Sequence, residues 1–138
     1  MLDRRVNITP ARLPQAGSLS GLTADQQFTS VGYGAQSVTS DHGGHTFHYQ
    51  DTRFVATGTL NSVTPSWLRV SQNPAHGDGG TCYGDSGGPN FLGAGSTETN
   101  IVAGTTITGD SLCKATNVIY RLDTPSARNF LGGFVALP

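Results

Sequence analysis

Charged side chains are scarce in this 138-residue sequence, with eight Lys or Arg and nine Asp or Glu making up 12 % of the chain. The net charge of -1 gives no case for nucleic acid or an anionic membrane as a partner. No apolar run approaches the roughly 18 residues that a membrane span needs. No apolar h-region follows Met1-Leu2-Asp3-Arg4-Arg5, so no signal peptide is read there. Cysteine is limited to Cys82 and Cys113, which allows one bridge or two buried thiols. A bridge would close a loop of about 30 residues, worth roughly 3 to 4 kcal/mol on the chain-entropy model. What the chain has in quantity is glycine, 19 residues, with Thr, Ser and Val throughout. That favours short strands joined by tight turns in one domain with a real core.

The stretch around which the rest is organised is Gly79-Gly80-Thr81-Cys82-Tyr83-Gly84-Asp85-Ser86-Gly87-Gly88-Pro89. A serine flanked by glycines can sit on a tight turn with its hydroxyl exposed. The amides of Gly84 and Ser86 could then stabilise an oxyanion. A bare G-x-S-x-G reads equally well as a glycine-rich hairpin loop. The full string Gly84-Asp85-Ser86-Gly87-Gly88-Pro89, with Cys82 two residues ahead, closely resembles the active-site serine segment of the trypsin/chymotrypsin-like serine proteases.

The resemblance covers essentially the whole chain and is strongest from Gln72 to Pro89. It implies an all-β fold: the second six-stranded antiparallel barrel of a chymotrypsin-like fold, with a short C-terminal helix. Residues 1–26 are expected to be the inter-barrel connector, 27–122 the barrel carrying the nucleophile loop, and 123–138 the helix and tail. By resemblance Ser86 is the nucleophile, and Gly84 with Ser86 supplies the oxyanion-hole amides. Asp85 matches the carboxylate that pairs with a newly cleaved N-terminal ammonium in activated family members. With no such ammonium, Asp85 is expected to swing out, bind water or take up a proton, leaving the hole malformed. Gly80 matches the base of the substrate pocket, where a trypsin has an aspartate; Asp78 nearby is not promoted to that role. Thr81 and Tyr83, with Thr108, Gly109 and Val118, match its walls, and Val118 is expected to narrow it toward small or apolar side chains. Cys82 and Cys113 match a bridge bordering that pocket, which favours an extracellular, oxidising compartment.

Along the chain, Val31-Gly32-Tyr33-Gly34 resembles the Gly-aromatic-Gly element opening the second barrel, at the end of a strand read from Gln27 to Gln36. Ser37 to Asp51 reads as a polar loop in which His42, His45 and His48 recur every three residues. Imidazoles are common metal ligands. Gly43 and Gly44 argue against a helix, however, so a solvated histidine loop stands ahead of a metal site or a base for Ser86. No cofactor is expected. Phe54 to Thr64, Trp67 to Val70, Pro89 to Leu92, Asn100 to Thr108 and Ala115 to Leu122 read as further strands, with Trp67 in barrel packing. Asp123-Thr124-Pro125 starts a helix whose Phe130, Leu131, Phe134 and Val135 are expected to pack on the barrel.

The opening Leu2-Asp3-Arg4-Arg5-Val6 resembles the link between two barrels. The family's catalytic aspartate would then fall upstream of Met1, and no match to its catalytic histidine is present. A serine hydroxyl needs a base to become a good nucleophile. Two readings follow. One is the C-terminal half of a secreted serine endopeptidase, inactive alone and completed by an N-terminal barrel in cis or in trans. The other is a non-catalytic, protease-derived module that binds peptide or protein.

Overall fold

In six segments, side chains of alternate residues turn inward, and these segments close into one antiparallel barrel. The computed structural model describes residues 3, 4 and 6–138. The part of the connector match that rests on Leu2 and Arg5 lies outside the described residues. The barrel strands are β1 (Gln27–Gly32), β4 (Phe54–Val63), β5 (Trp67–Ser71), β6 (Pro89–Leu92), β7 (Val102–Gly109) and β8 (Thr116–Arg121). Their order around the barrel is β1-β4-β5-β8-β7-β6, with β6 pairing back onto β1. This is the six-stranded barrel that the resemblance implied.

Phe28, Leu60, Leu68, Val70, Ala103 and Ile119 fill one end of the interior. Leu19, from the segment before β1, is buried among them. That segment is docked from Arg12 onward. Arg12 exchanges backbone hydrogen bonds with the segment before β7, at 2.8 Å to the Asn100 carbonyl and 2.9 Å from the Val102 amide. Asp123 accepts the Leu19 amide at 2.9 Å and pairs with Arg121 at 2.8 Å. Arg121 also donates to the Thr64 carbonyl and to Ser20 Oγ, each at 2.7 Å. A buried ion pair is tolerable when its remaining donors are satisfied in this way. Burial pushes the Asp123 carboxyl up, but the hydrogen bonds and charge of Arg121 and the Leu19 amide outweigh it and hold the group below the usual carboxylate range. Trp67 packs on Tyr120 with ring centroids 5.3 Å apart, on the outer side of the barrel.

Two expectations are corrected. The polar loop from Ser37 to Asp51 contains a hairpin of β2 (Ser37–Asp41) and β3 (Gly44–His48). Val38 faces Phe47 across it, and Phe47 in turn packs edge-on against Tyr83 at 4.6 Å. These two apolar side chains give the hairpin one face to bury, which turn chemistry alone did not reveal. On a strand the three-residue spacing sends His45 and His48 to opposite faces, while His42 sits in the turn. His45 Nδ1 lies 2.9 Å from Ser40 Oγ, and His48 Nε2 lies 2.9 Å from Thr39 Oγ1. Among the described residues no three His, Cys, Asp or Glu side chains gather to hold a metal.

The second correction concerns α1 (Pro125–Leu131). Thr124 caps it, its Oγ1 accepting the Ala127 amide at 3.3 Å. The buried face of the helix runs through Thr124 and Ala127, with Leu131 half-buried. Phe130 and Phe134 are 68 % and 75 % exposed and pack on one another, and Val135 is also exposed. The aromatic residues lie off that stripe.

Candidate active site

Ser86 stands on a turn that enters β6, and the left-handed region is needed on both sides of it. Gly84 has φ 96° and Gly87 has φ 82°, values that favour glycine. The turn is held from below. The Asp85 amide donates to the Cys82 carbonyl at 3.0 Å and the Gly88 amide to the Asp85 carbonyl at 2.8 Å. Gly87 and Thr106 tie the turn to β7, at 2.8 Å from the Gly87 amide to the Thr106 carbonyl and 3.1 Å from the Thr106 amide to the Gly88 carbonyl. The amides of Gly84 and Ser86 donate no hydrogen bond among the described residues, and the exposed Ser86 hydroxyl makes none either. One turn therefore presents a hydroxyl and two unused N–H groups.

Asp85 is turned inward and does not swing out. Its carboxylate accepts the Gly34 amide at 2.8 Å and the Cys82 amide at 2.9 Å. Charge-assisted bonds of this kind are among the stronger ones in a protein. They also give the Gly-Tyr-Gly element a physical reason. A Cβ at Gly32 or Gly34 would overlap the Asp85 carboxyl, so two glycines make the room that it fills. The Ser86 turn is thereby pinned to the end of β1.

A cavity of about 200 Å³ opens beside Ser86. Thr81 and Tyr83 form one wall and Thr108 and Gly109 the other. The Cys82–Cys113 disulfide joins the two walls, with Cα atoms 5.2 Å apart. Two predicted pocket residues are elsewhere. Gly80 lies against Gln72 and faces a second cavity of about 320 Å³. Val118 turns out of the barrel, because on β8 it is Asn117 and Ile119 that point in. Asp78 has a local role, accepting a hydrogen bond from Thr59 Oγ1 at 2.8 Å. On the other side of Ser86 an open cleft of about 810 Å³ is walled by Tyr33, Phe54, Val55, Pro89 and Phe91.

Beneath the turn lies a buried polar cluster that the motif did not announce. Asn90 Oδ1 accepts from Ser30 Oγ at 2.7 Å and from Asn117 Nδ2 at 3.0 Å, while Asn90 Nδ2 donates to Thr106 Oγ1 at 3.0 Å. Gln72 and Asp110 form a second link nearby, at 3.1 Å. Strand parity could have found most of these. Positions 68, 70 and 72 continue one inward series, and so do 117, 119 and 121.

A closed antiparallel barrel with a glycine-flanked serine turn, unused amides beside it and a disulfide-bordered cavity defines a chymotrypsin-like serine protease barrel. The family model for Trypsin matches residues 2–130, and the chain belongs to the trypsin family. No curated protein matches it.

Proposed function

We propose that this chain is the nucleophile-bearing barrel of a secreted serine endopeptidase. The observation that carries the reading is the Ser86 turn, with its free hydroxyl and the unused amides of Gly84 and Ser86. In this reading Ser86 Oγ attacks the peptide carbonyl carbon as a base removes its proton. The oxygen of the tetrahedral intermediate takes the negative charge and accepts the N–H groups of Gly84 and Ser86. Collapse breaks the C–N bond, the leaving amine takes the proton, and water then hydrolyses the acyl-enzyme on Ser86. Beyond Thr106, whose carbonyl and amide are taken by Gly87 and Gly88, β7 has no partner on its β6 side among the described residues, so its edge beside the cavity is open to an extended substrate backbone.

None of the three histidines of the hairpin occupies surroundings like those of the family's base. The base and its orienting carboxylate come, in this proposal, from an N-terminal barrel in cis or in trans. The apolar walls of the larger cleft support such a neighbour. The 138 residues alone are expected to hydrolyse peptides negligibly. Secretion rests on the disulfide and the family, and no helix among the described residues is long and apolar enough to cross a membrane. The test is the protein purified from its natural source, assayed against a peptide library beside its Ser86→Ala variant. Expected is hydrolysis that Ser86→Ala lowers by at least about four orders of magnitude. A natural product that leaves every peptide uncut overturns the reading.

A further inference from the structure

We infer that Gln72 is a specificity-determining residue: its carboxamide closes the inner end of the cavity beside Ser86 and occupies the Asp110 carboxylate on its wall, so that the cavity takes an uncharged side chain in preference to a long basic one. This rests on reading Ser86 as the nucleophile and that cavity as the seat of the side chain before the scissile bond.

Gln72 is 1 % exposed and continues the inward series of Leu68 and Val70 past the end of β5. Its two polar atoms reach in two directions. Oε1 accepts the Thr81 amide at 3.0 Å, on one wall of the cavity. Nε2 donates to Asp110 Oδ1 at 3.1 Å, on the other. One side chain thus bridges both walls on the barrel side, away from the mouth at Ser86. The fit is close, since a Cβ at Gly80 would come within 2.6 Å of the Gln72 Cβ. Behind this bridge lies the cavity of about 320 Å³, walled in part by Gln72 and Gly80. The two cavities share only Thr81, Cys82 and Cys113. The Gln72–Thr81 contact and the disulfide are therefore the partition between them.

The same bridge governs charge. Among the described residues Asp110 is the one charged side chain on the walls of the cavity beside Ser86. Its Oδ1 accepts the amides of Ala115 at 2.8 Å and Thr116 at 2.9 Å besides Gln72, and its Oδ2 accepts the Lys114 amide at 3.0 Å. Four donors from within the chain satisfy this carboxylate, so it has little left to offer a substrate cation. Truncating Gln72 removes the partition and one of those donors together. The joined space is then walled by Asp110, Asp85 and Lys114, a net negative surround into which a long cation fits.

The experiment compares benzamidine, a planar cation, with its neutral near-isostere benzamide, both titrated into the 138-residue chain and followed by NMR. The unaltered chain is expected to bind benzamidine no more tightly than benzamide. In Gln72→Ala the ratio should move toward benzamidine at least tenfold, as expected for a newly available charge-assisted hydrogen bond. Gln72→Ser serves as the truncation if the alanine variant does not fold. Gln72→Met, which keeps the volume, should retain the ratio of the unaltered chain. A tenfold preference for benzamidine without any substitution overturns the inference, as does an unchanged ratio in a folded truncation. In the natural enzyme the same truncation should raise kcat/KM for Lys relative to Ala before the scissile bond at least tenfold. Probe binding needs no hydrolysis, so an inert Ser86 with the expected ratios would sink the proposed activity and leave Gln72 its role. Active enzyme with unmoved ratios would do the reverse.

Discussion

Along β1 the inward side chains change from Phe28 to Ser30; toward the same end of the barrel β6 changes from Leu92 to Asn90, and β8 from Ile119 to Asn117. β5 makes the same change from Leu68 and Val70 to Gln72. One end of the interior is thus filled mainly by apolar side chains, with the Arg121–Asp123 pair set beside them. The other, under the Ser86 turn, is closed by side chains that form directed hydrogen bonds. The apolar end gains stability in proportion to area removed from water and accepts many packings. The polar end gains less, because each bond replaces one to water, yet it permits few arrangements. Asn90 Nδ2 also approaches the Gly88 carbonyl at 3.4 Å, so the polar cluster reaches the Ser86 turn itself. Stability and position are assigned to opposite ends.

The sharpest way to break this comparison is to damage each end separately. Phe28→Ala should cost about 3 to 5 kcal/mol in urea denaturation, the usual range for an aromatic side chain removed from a core. Asn90→Leu strands Ser30, Thr106 and Asn117 without their partner and should cost about 1 to 3 kcal/mol. Its local effect should be the larger. Exchange of the Gly87 amide should accelerate beyond what the global loss explains, whereas Phe28→Ala should raise it only through global unfolding. Equal costs with equal Gly87 protection would mean that the two ends do the same job.

The sequence is unevenly legible for a related reason. Apolar alternation and turn residues marked the six strands, and the serine string marked the turn, because each signal is local. Asn117 and Gln72 were passed over because a polar residue at an inward position looks like any exposed one until its neighbours on other strands are known. Val118 was assigned to the cavity through resemblance, although alternation with Ile119 places it outside. Asp85 was expected to lack a partner because the two amides that hold it are contributed partly from Gly34, 51 residues away. The hairpin was missed for want of the contact between Phe47 and Tyr83. Parity along a single strand places Val118, Asn117 and Gln72, whereas the contacts of Asp85 and Phe47 are long-range, and no pattern within a single strand carries those.

Acid offers a milder probe of both ends. At the polar end partial burial raises the Asp110 carboxyl, but the amides of Lys114, Thr116 and Ala115 and the Gln72 carboxamide hold it well below the usual range. At the apolar end Asp123 is held down by Arg121 and the Leu19 amide. A depressed carboxyl contributes stability that is fully present above its unfolded pKa of about 4 and is lost as pH falls through the folded value. Stability to urea should therefore be flat from pH 7 to about pH 5 and decline below about pH 4. A decline already under way between pH 7 and pH 5 would contradict the assignment to these two groups.

The smallest expected effect lies outside the barrel and tests where the apolar end stops. If the packed face of α1 is Thr124, Ala127 and Leu131, then Phe130 contributes little to the fold of this chain despite its size. Phe130→Ser should change stability by no more than about 0.5 kcal/mol, as surface substitutions do. Ala127→Leu, three residues earlier, should cost about 1 to 3 kcal/mol, because a larger side chain must force the helix off the barrel. Reversal of that order, with Phe130→Ser the costlier change, would return the helix to the orientation first read from its apolar spacing. It would also extend the apolar end of the core onto α1.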